Sequence, residues 1–205
     1  GDLEKAVEKF RWLVNFRATP ADYRDKANYA LAETDFFKGD IKETLDRLQS
    51  LTKNSASEIS NDALTLQVLI QENQENENIL KKFAVGIFFK RQRKFEKAAE
   101  IFEAIVKENP KAEIVDESLV NAGDVYSAMH RFEEAISAYD RLIKDFPDNI
   151  MSDKSQIKIA TVYQFGLKEN KKAVEAYQKL LEQFPNSIYA SEARRKVREL
   201  RGDSL

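Results

Sequence analysis

The sequence predicts an all-α fold, an α-solenoid of stacked helix–turn–helix units. Three observations carry that prediction. Punctuation is sparse: the 205 residues include 6 glycines and 4 prolines, about 3% and 2% against an average usage near 7% and 5%. Sheets and long loops need those residues, so their scarcity argues for helices joined by short turns. Charged residues make up 33% and apolar residues 42%, a balance that suits helices with one apolar stripe and one wet face. Finally, one pattern recurs along nearly the whole chain, and self-similarity at a fixed period marks a stack of repeats.

The pattern is a small residue, then an aromatic or leucine four later, then leucine or isoleucine three after that. Ala6, Thr44, Ala98, Ala135 and Ala173 are the small residues. Phe10, Leu48, Phe102, Tyr139 and Tyr177 follow, then Leu13, Leu51, Ile105, Leu142 and Leu180. These spacings put all three on one helical stripe, where the small residue lets a neighbouring helix approach closely. We term these helices B-type. Pro110, Pro147 and Pro185 stop three of them, as proline does just past a helix C-terminus.

A-type helices alternate with them. They open with SEISNDAL (57–64), AEIVDESL (112–119), NIMSDKSQ (149–156) and NSIYASEA (186–193). Their small residues are Ala27, Ala63, Ser118, Ser155 and Ala193. Five residues after Ser118 and Ser155 come Gly123 and Ala160, and three further on Tyr126 and Tyr163. Neither type can bury its stripe alone, so units of 37–38 residues must stack. In order, the expected helices span 2–17, 21–37, 40–53, 57–73, 77–92, 95–108, 113–129, 132–146, 150–167, 170–184 and 187–201.

The order small, aromatic, alanine, aromatic, proline at Gly123, Tyr126, Ala135, Tyr139 and Pro147 resembles the tetratricopeptide repeat family. Gly86, Phe89, Ala98, Phe102 and Pro110 follow the same order. The resemblance implies a right-handed superhelix that binds a protein or peptide on its concave face. The long period and phrases such as FPNSIYASEA are similar to a bacterial subgroup, that of the outer-membrane assembly lipoprotein and the cell-division coordinators. That likeness implies, as an alternative, a structural component of a cell-envelope assembly complex in the periplasm. The chain departs from the family in lacking its tryptophan in every first helix and in placing Asp35 in an aromatic slot.

The B-type slots are spaced 38, 54, 37 and 38 residues apart, so one interval is about 16 too long. The excess falls at QENQENEN (71–78), whose asparagines favour turns and caps. A helix break is expected there, with one long kinked helix as the alternative; a break would divide the chain into a stack at 1–73 and a second at 79–205 with a capping helix at 187–201. GDLEKA (1–6) matches GDIKET (39–44). The chain is therefore expected to begin inside a repeat of a longer protein, leaving an edge open to self-association.

Composition excludes most chemistry. A net charge of -2 argues against a polybasic nucleic-acid binder. Zero cysteines exclude disulfides and a thiolate nucleophile, and one histidine, His130, cannot make a histidine metal cluster. His130 falls in a turn slot equivalent to Gly39 and reads as a solvated turn residue. No phosphate cradle, nucleophile elbow or zinc motif is present. No apolar run approaches a membrane span. The chain is read as a non-enzyme with no cofactor, no metal site and no nucleic-acid partner. Arg201-Gly202-Asp203 is read as a helix C-cap rather than an adhesion motif.

The slots that face a partner in the family carry no two-carboxylate clamp. Instead the expected groove is apolar and aromatic, with Tyr29, Phe36, Phe37, Phe83, Ile87, Phe88 and Phe165, joined by Asn121 and Lys158. About half of its apolar residues are expected to be inter-helix core instead. The cluster Arg194, Arg195, Lys196, Arg198 and Arg201 is the strongest charge feature. It reads as a solvated cap or as a contact for an acidic partner surface.

Overall fold

The computed structural model describes residues 3–53 and 57–202. Among them are eleven α-helices and no strand. They are α1 (Leu3–Asn15), α2 (Ala21–Lys38), α3 (Ile41–Thr52), α4 (Ser60–Glu72), α5 (Glu77–Arg91), α6 (Phe95–Glu108), α7 (Val115–Ala128), α8 (Phe132–Asp145), α9 (Ser152–Thr161), α10 (Asn170–Gln183) and α11 (Ala190–Arg201). The expected helix start at Asp2, residues 54–56 and Asp203 lie outside the described residues.

Packing groups the helices into two compact units. One runs to Arg93 and includes Lys111–Ile114; the other holds Lys94–Pro110 and the chain from Val115 on. In the first, α1 packs on α2, α2 on α3, α3 on α4, and α5 on α2. In the second, each helix from α6 to α11 packs on the next. The division expected at 73–79 assigned α5 to the C-terminal stack. Its contacts assign it to the first unit, because Phe88 lies 5.4 Å from Phe37 of α2 and Arg91 pairs with Glu33.

The B-type stripes are the core. Thr44, Leu48 and Leu51 of α3 are buried, as are Ala98, Phe102 and Ile105 of α6. Ala135, Tyr139 and Leu142 of α8 and Ala173, Tyr177 and Leu180 of α10 repeat the arrangement. Each large member contributes about 1.5–3 kcal/mol by leaving water. The small A-type residues Ala27, Ala63, Ser118, Ser155 and Ala193 are buried too, so both registers read from the sequence hold. The α1 stripe is the exception. Ala6, Phe10 and Leu13 are half-buried, and Trp12 and Phe16 stand in the open with rings stacked at 4.8 Å.

The turns that end α2, α5, α7 and α9 share one conformation. Gly39 has φ 80, Arg93 57, His130 59 and Lys168 57. A left-handed residue just past a helix lets the next N–H reach back to the last turn. The Asp40 N–H bonds the Asp35 carbonyl at 2.9 Å, and the Arg131 N–H bonds the Tyr126 carbonyl at 2.9 Å. His130 is exposed in this turn, in the same role as Gly39. Gly202 caps α11 with φ 76.

The helix expected at 150–167 is an α-helix only to Thr161 and continues as a π-helical turn, Val162–Gly166. The Leu167 N–H bonds the Val162 carbonyl at 2.9 Å, five residues back. Sequence spacing supplies the reason. Twelve residues separate Ser118 from the left-handed His130, and thirteen separate Ser155 from Lys168. The π turn absorbs the extra residue without moving either end of the helix.

The expected break between α4 and α5 is present. Gln74–Asn76 form a 3-10 turn, and buried Asn73 donates from Nδ2 to the Leu69 carbonyl at 2.9 Å. The helix α4 packs on α3 at its buried Ala63, as an A-type helix does, and α5 ends in the A-type turn at Arg93. The surplus residues therefore lie inside one A-type span.

Candidate functional site

Each unit has a cleft between its A-type helices and a B-type neighbour. In the first unit it measures about 280 Å³ and lies between Leu3, Ala6 and Phe10 of α1, Ala30, Glu33, Thr34 and Phe37 of α2, and Phe88 and Arg91 of α5, with Gln92. Most of these side chains are apolar. Thr34 satisfies its own hydroxyl by donating to the Ala30 carbonyl at 2.8 Å, so it presents a methyl group to the cleft. Charge enters at one point, where Arg91 pairs with Glu33 and also stands 5.7 Å from the Phe37 ring centroid.

Glu33 is mostly buried, and that burial pushes its carboxyl above the ordinary value, with the neighbouring Arg91 pulling the other way. One turn earlier, half-buried Tyr29 has its phenol pushed far up, first by burial and then by Glu33 and Asp62. It is a neutral hydroxyl at any physiological pH. The Gln92 Oε1 is buried without a hydrogen-bond partner among the described residues.

The second cleft, about 360 Å³, lies between Asp124, Ser127 and Ala128 of α7, Tyr139 of α8, and Lys158 and Thr161 of α9, with Val162. Asp124 organises it. Its Oδ1 accepts from the Tyr139 hydroxyl at 2.8 Å and pairs with Lys158 Nζ. Burial first, then the Asp124 charge, pushes the Tyr139 phenol far up. The hydroxyl therefore stays a donor, and the cleft floor is a fixed Tyr–Asp–Lys chain.

Of the groove residues expected from the sequence, Phe37 and Phe88 line the first cleft and Lys158 the second. Tyr29, Ile87 and Asn121 are half-buried near the A-type faces, and Asn121 donates to the Glu117 carbonyl at 2.8 Å. Phe165 is 61% exposed, carried outward on the π turn, with Lys196 Nζ 5.5 Å from its ring centroid. Two expectations are corrected. Phe36 and Phe83 are each 2% exposed and belong to the core. Both sit on helices where a step of one residue, about 100° of rotation, separates groove from interior. Lys158 lines the second cleft as the ion-pair partner of Asp124.

The sequence reading missed Arg91, Gln92 and Tyr139 as cleft residues. Tyr139 was legible only as a stripe residue, and its hydroxyl reaches the cleft because Gly123 lets the ring cross α7. Among the described residues no group of three or more His, Cys, Asp or Glu could hold a metal ion. None of the described helices is long and apolar enough to cross a membrane.

Residues 117–149 and 154–187, which comprise most of α7–α8 and of α9–α10, each match the tetratricopeptide repeat family model. No curated protein matches the chain. Among solved structures, the TPR2AB domain of yeast Sti1 in its pHSP90 complex is similar, with TM-score 0.50 and 19% identity over 97% of this chain and 76% of that one. A kinesin light chain of Podosopora anserina with nearly identical TPR-like repeats is also similar, with TM-score 0.46 and 16% identity over 97% of this chain and 89% of that one. Residues 117–149 and 154–187 thus match tetratricopeptide repeats, and the fold is that of a tetratricopeptide-repeat solenoid. No catalytic family is matched. These matches do not reach the expected bacterial envelope subgroup.

Proposed function

We propose that this tetratricopeptide-repeat chain is a non-enzymatic scaffold that holds a segment of a partner protein against its A-type helices. The observation that carries the reading is the contrast between the two helix types. The stripes of α3, α6, α8 and α10 are closed, whereas each unit keeps a cleft beside its A-type helices with oriented polar groups, the Glu33–Arg91 pair in one and the Tyr139–Asp124–Lys158 chain in the other. Apolar walls around a few oriented polar groups are what a peptide-binding surface requires. The yeast Sti1 relative forms its complex with pHSP90, which supports a protein or peptide as the class of ligand. The mode differs in this chain, because its slots carry Tyr29 and Glu33, and Val120 and Asp124, in place of a carboxylate clamp. Glu33 and Asp124 favour a segment with amide and cationic groups over a terminal carboxylate.

A photo-crosslinking residue placed at Phe37, Lys158 or Phe165 tests this in cells. A discrete partner should be captured from these positions and not from Lys144 or Lys179 on the B-type faces. Equal capture from both sets would overturn the reading. The envelope-assembly reading is the same scaffold in another place, and fractionation of the captured complex separates the two.

A further inference from the structure

The last helix carries a charge arrangement that the clefts do not use. Arg194, Arg198 and Arg201 recur at the spacing of one helix face, about 10 Å from first to last. All three are exposed, and none has a hydrogen-bond or ion-pair partner among the described residues. Their neighbours behave otherwise. Glu199 is taken by Lys196 at 3.1 Å and by Arg195 at 3.8 Å, so the carboxylate nearest in sequence is engaged on another side of the helix.

Register shows what this face is. Ser118, Ser155 and Ala193 are the same buried slot in α7, α9 and α11. Counting from it, Arg194, Arg198 and Arg201 replace Leu119, Gly123 and Tyr126 of α7, and Gln156, Ala160 and Tyr163 of α9. In those helices the B-type partner covers the face. The Tyr139 ring lies against Gly123, and Arg131 sits 4.6 Å from the Tyr126 ring centroid. Gln156 donates to the Ala176 carbonyl at 2.9 Å, and Lys172 sits 5.6 Å from the Tyr163 ring centroid. The close approach needs glycine or alanine at the middle position. Arginine at 198 bars a helix of that kind from α11 and leaves three guanidinium groups in its place.

We propose that Arg194, Arg198 and Arg201 form a docking strip for an acidic protein segment, on a face separate from the two clefts. Guanidinium is the group whose fixed fork matches a carboxylate in two parallel hydrogen bonds. A helix with glutamates at the same one-face spacing presents carboxylates at matching intervals. An acidic protein segment is favoured over a nucleic acid because the three charges span only about 10 Å and the chain, with an overall net charge of -2, offers no polybasic track elsewhere for a phosphate backbone.

The test uses the whole chain and a fluorescein-labelled helical peptide with glutamates at three such positions, beside a copy with glutamines there. The glutamate peptide should bind, weakening as salt rises, and the glutamine copy should not. The triple variant Arg194→Gln, Arg198→Gln, Arg201→Gln should lose at least tenfold in affinity with an unchanged melting temperature. Lys168→Gln with Lys171→Gln, on the turn before α10 and its start, should lose less than twofold. Equal binding by the triple variant, equal loss in the lysine control, or tighter binding of a single-stranded oligonucleotide of matched charge would overturn the proposal. Crosslinking at the clefts is read separately, so either result stands without the other.

Discussion

The Tyr139 ring lies so close to Gly123 that a Cβ on the glycine would stand 2.6 Å from the ring's Cζ. Helices α7 and α8 meet at that contact, and the same ring sends its hydroxyl to Asp124 in the second cleft. Core packing and cleft geometry are thus one interaction. Gly123→Ala is expected to lower stability by about 1–3 kcal/mol, because Tyr139 is fully buried and has nowhere to move. Chemical denaturation measures it. A neutral result would show that the ring gives way without cost.

Ala135 is fully buried at the small slot of α8. Ala135→Leu should overpack the contact and cost about 1–3 kcal/mol. A thermal melt checks it, with the exposed change Lys144→Leu as control. An unchanged midpoint for Ala135→Leu would contradict the B-type register.

Glu33 governs a pH dependence whose sign follows from burial. Its carboxyl is raised above the ordinary 4.5 by desolvation, against the pull of Arg91. The stability it contributes is full below that ordinary value and is lost as pH rises through the raised folded value. Glu33→Gln should therefore gain in melting temperature relative to the parent as pH climbs from about 4 to 7. A gap that narrows over that range would mean that the Arg91 pairing dominates instead.

Lys168 holds φ 57 past the π turn with an exposed side chain. Glycine removes the left-handed strain at some cost in chain entropy. Lys168→Gly should stabilise by about 0.5–1 kcal/mol. Denaturant midpoints measure it, and a loss would show that the lysine stem packs on the turn.

Trp12 is 59% exposed and stacks on Phe16 on the open side of α1. Self-association through that face should shift Trp12 emission to the blue as concentration rises, and Trp12→Ser should leave a monomer by sedimentation. The chain's only tryptophan makes the signal unambiguous. Emission independent of concentration would argue against it.

The amino-acid order by itself determined the helices, their alternation and the stripes that close the core. The reason is periodicity: the spacings of Ala135, Tyr139 and Leu142 are set within a single helix, so they can be read before any partner is known. The break at Asn73–Asn76 was legible for the same reason, since the interval between repeats was too long to fit. Tertiary structure decided what periodicity does not reach. Phe36 and Phe37 are adjacent in sequence, yet one is core and the other lines a cleft, because burial depends on which neighbours α2 meets. The pairing of Lys158 with Asp124, 34 residues away, likewise exists only once the chain is folded. The π turn in α9 shows both at once. One surplus residue is visible in the count from Ser155 to Lys168, but only the packed ends of the helix dictate that the backbone, rather than the register, must absorb it.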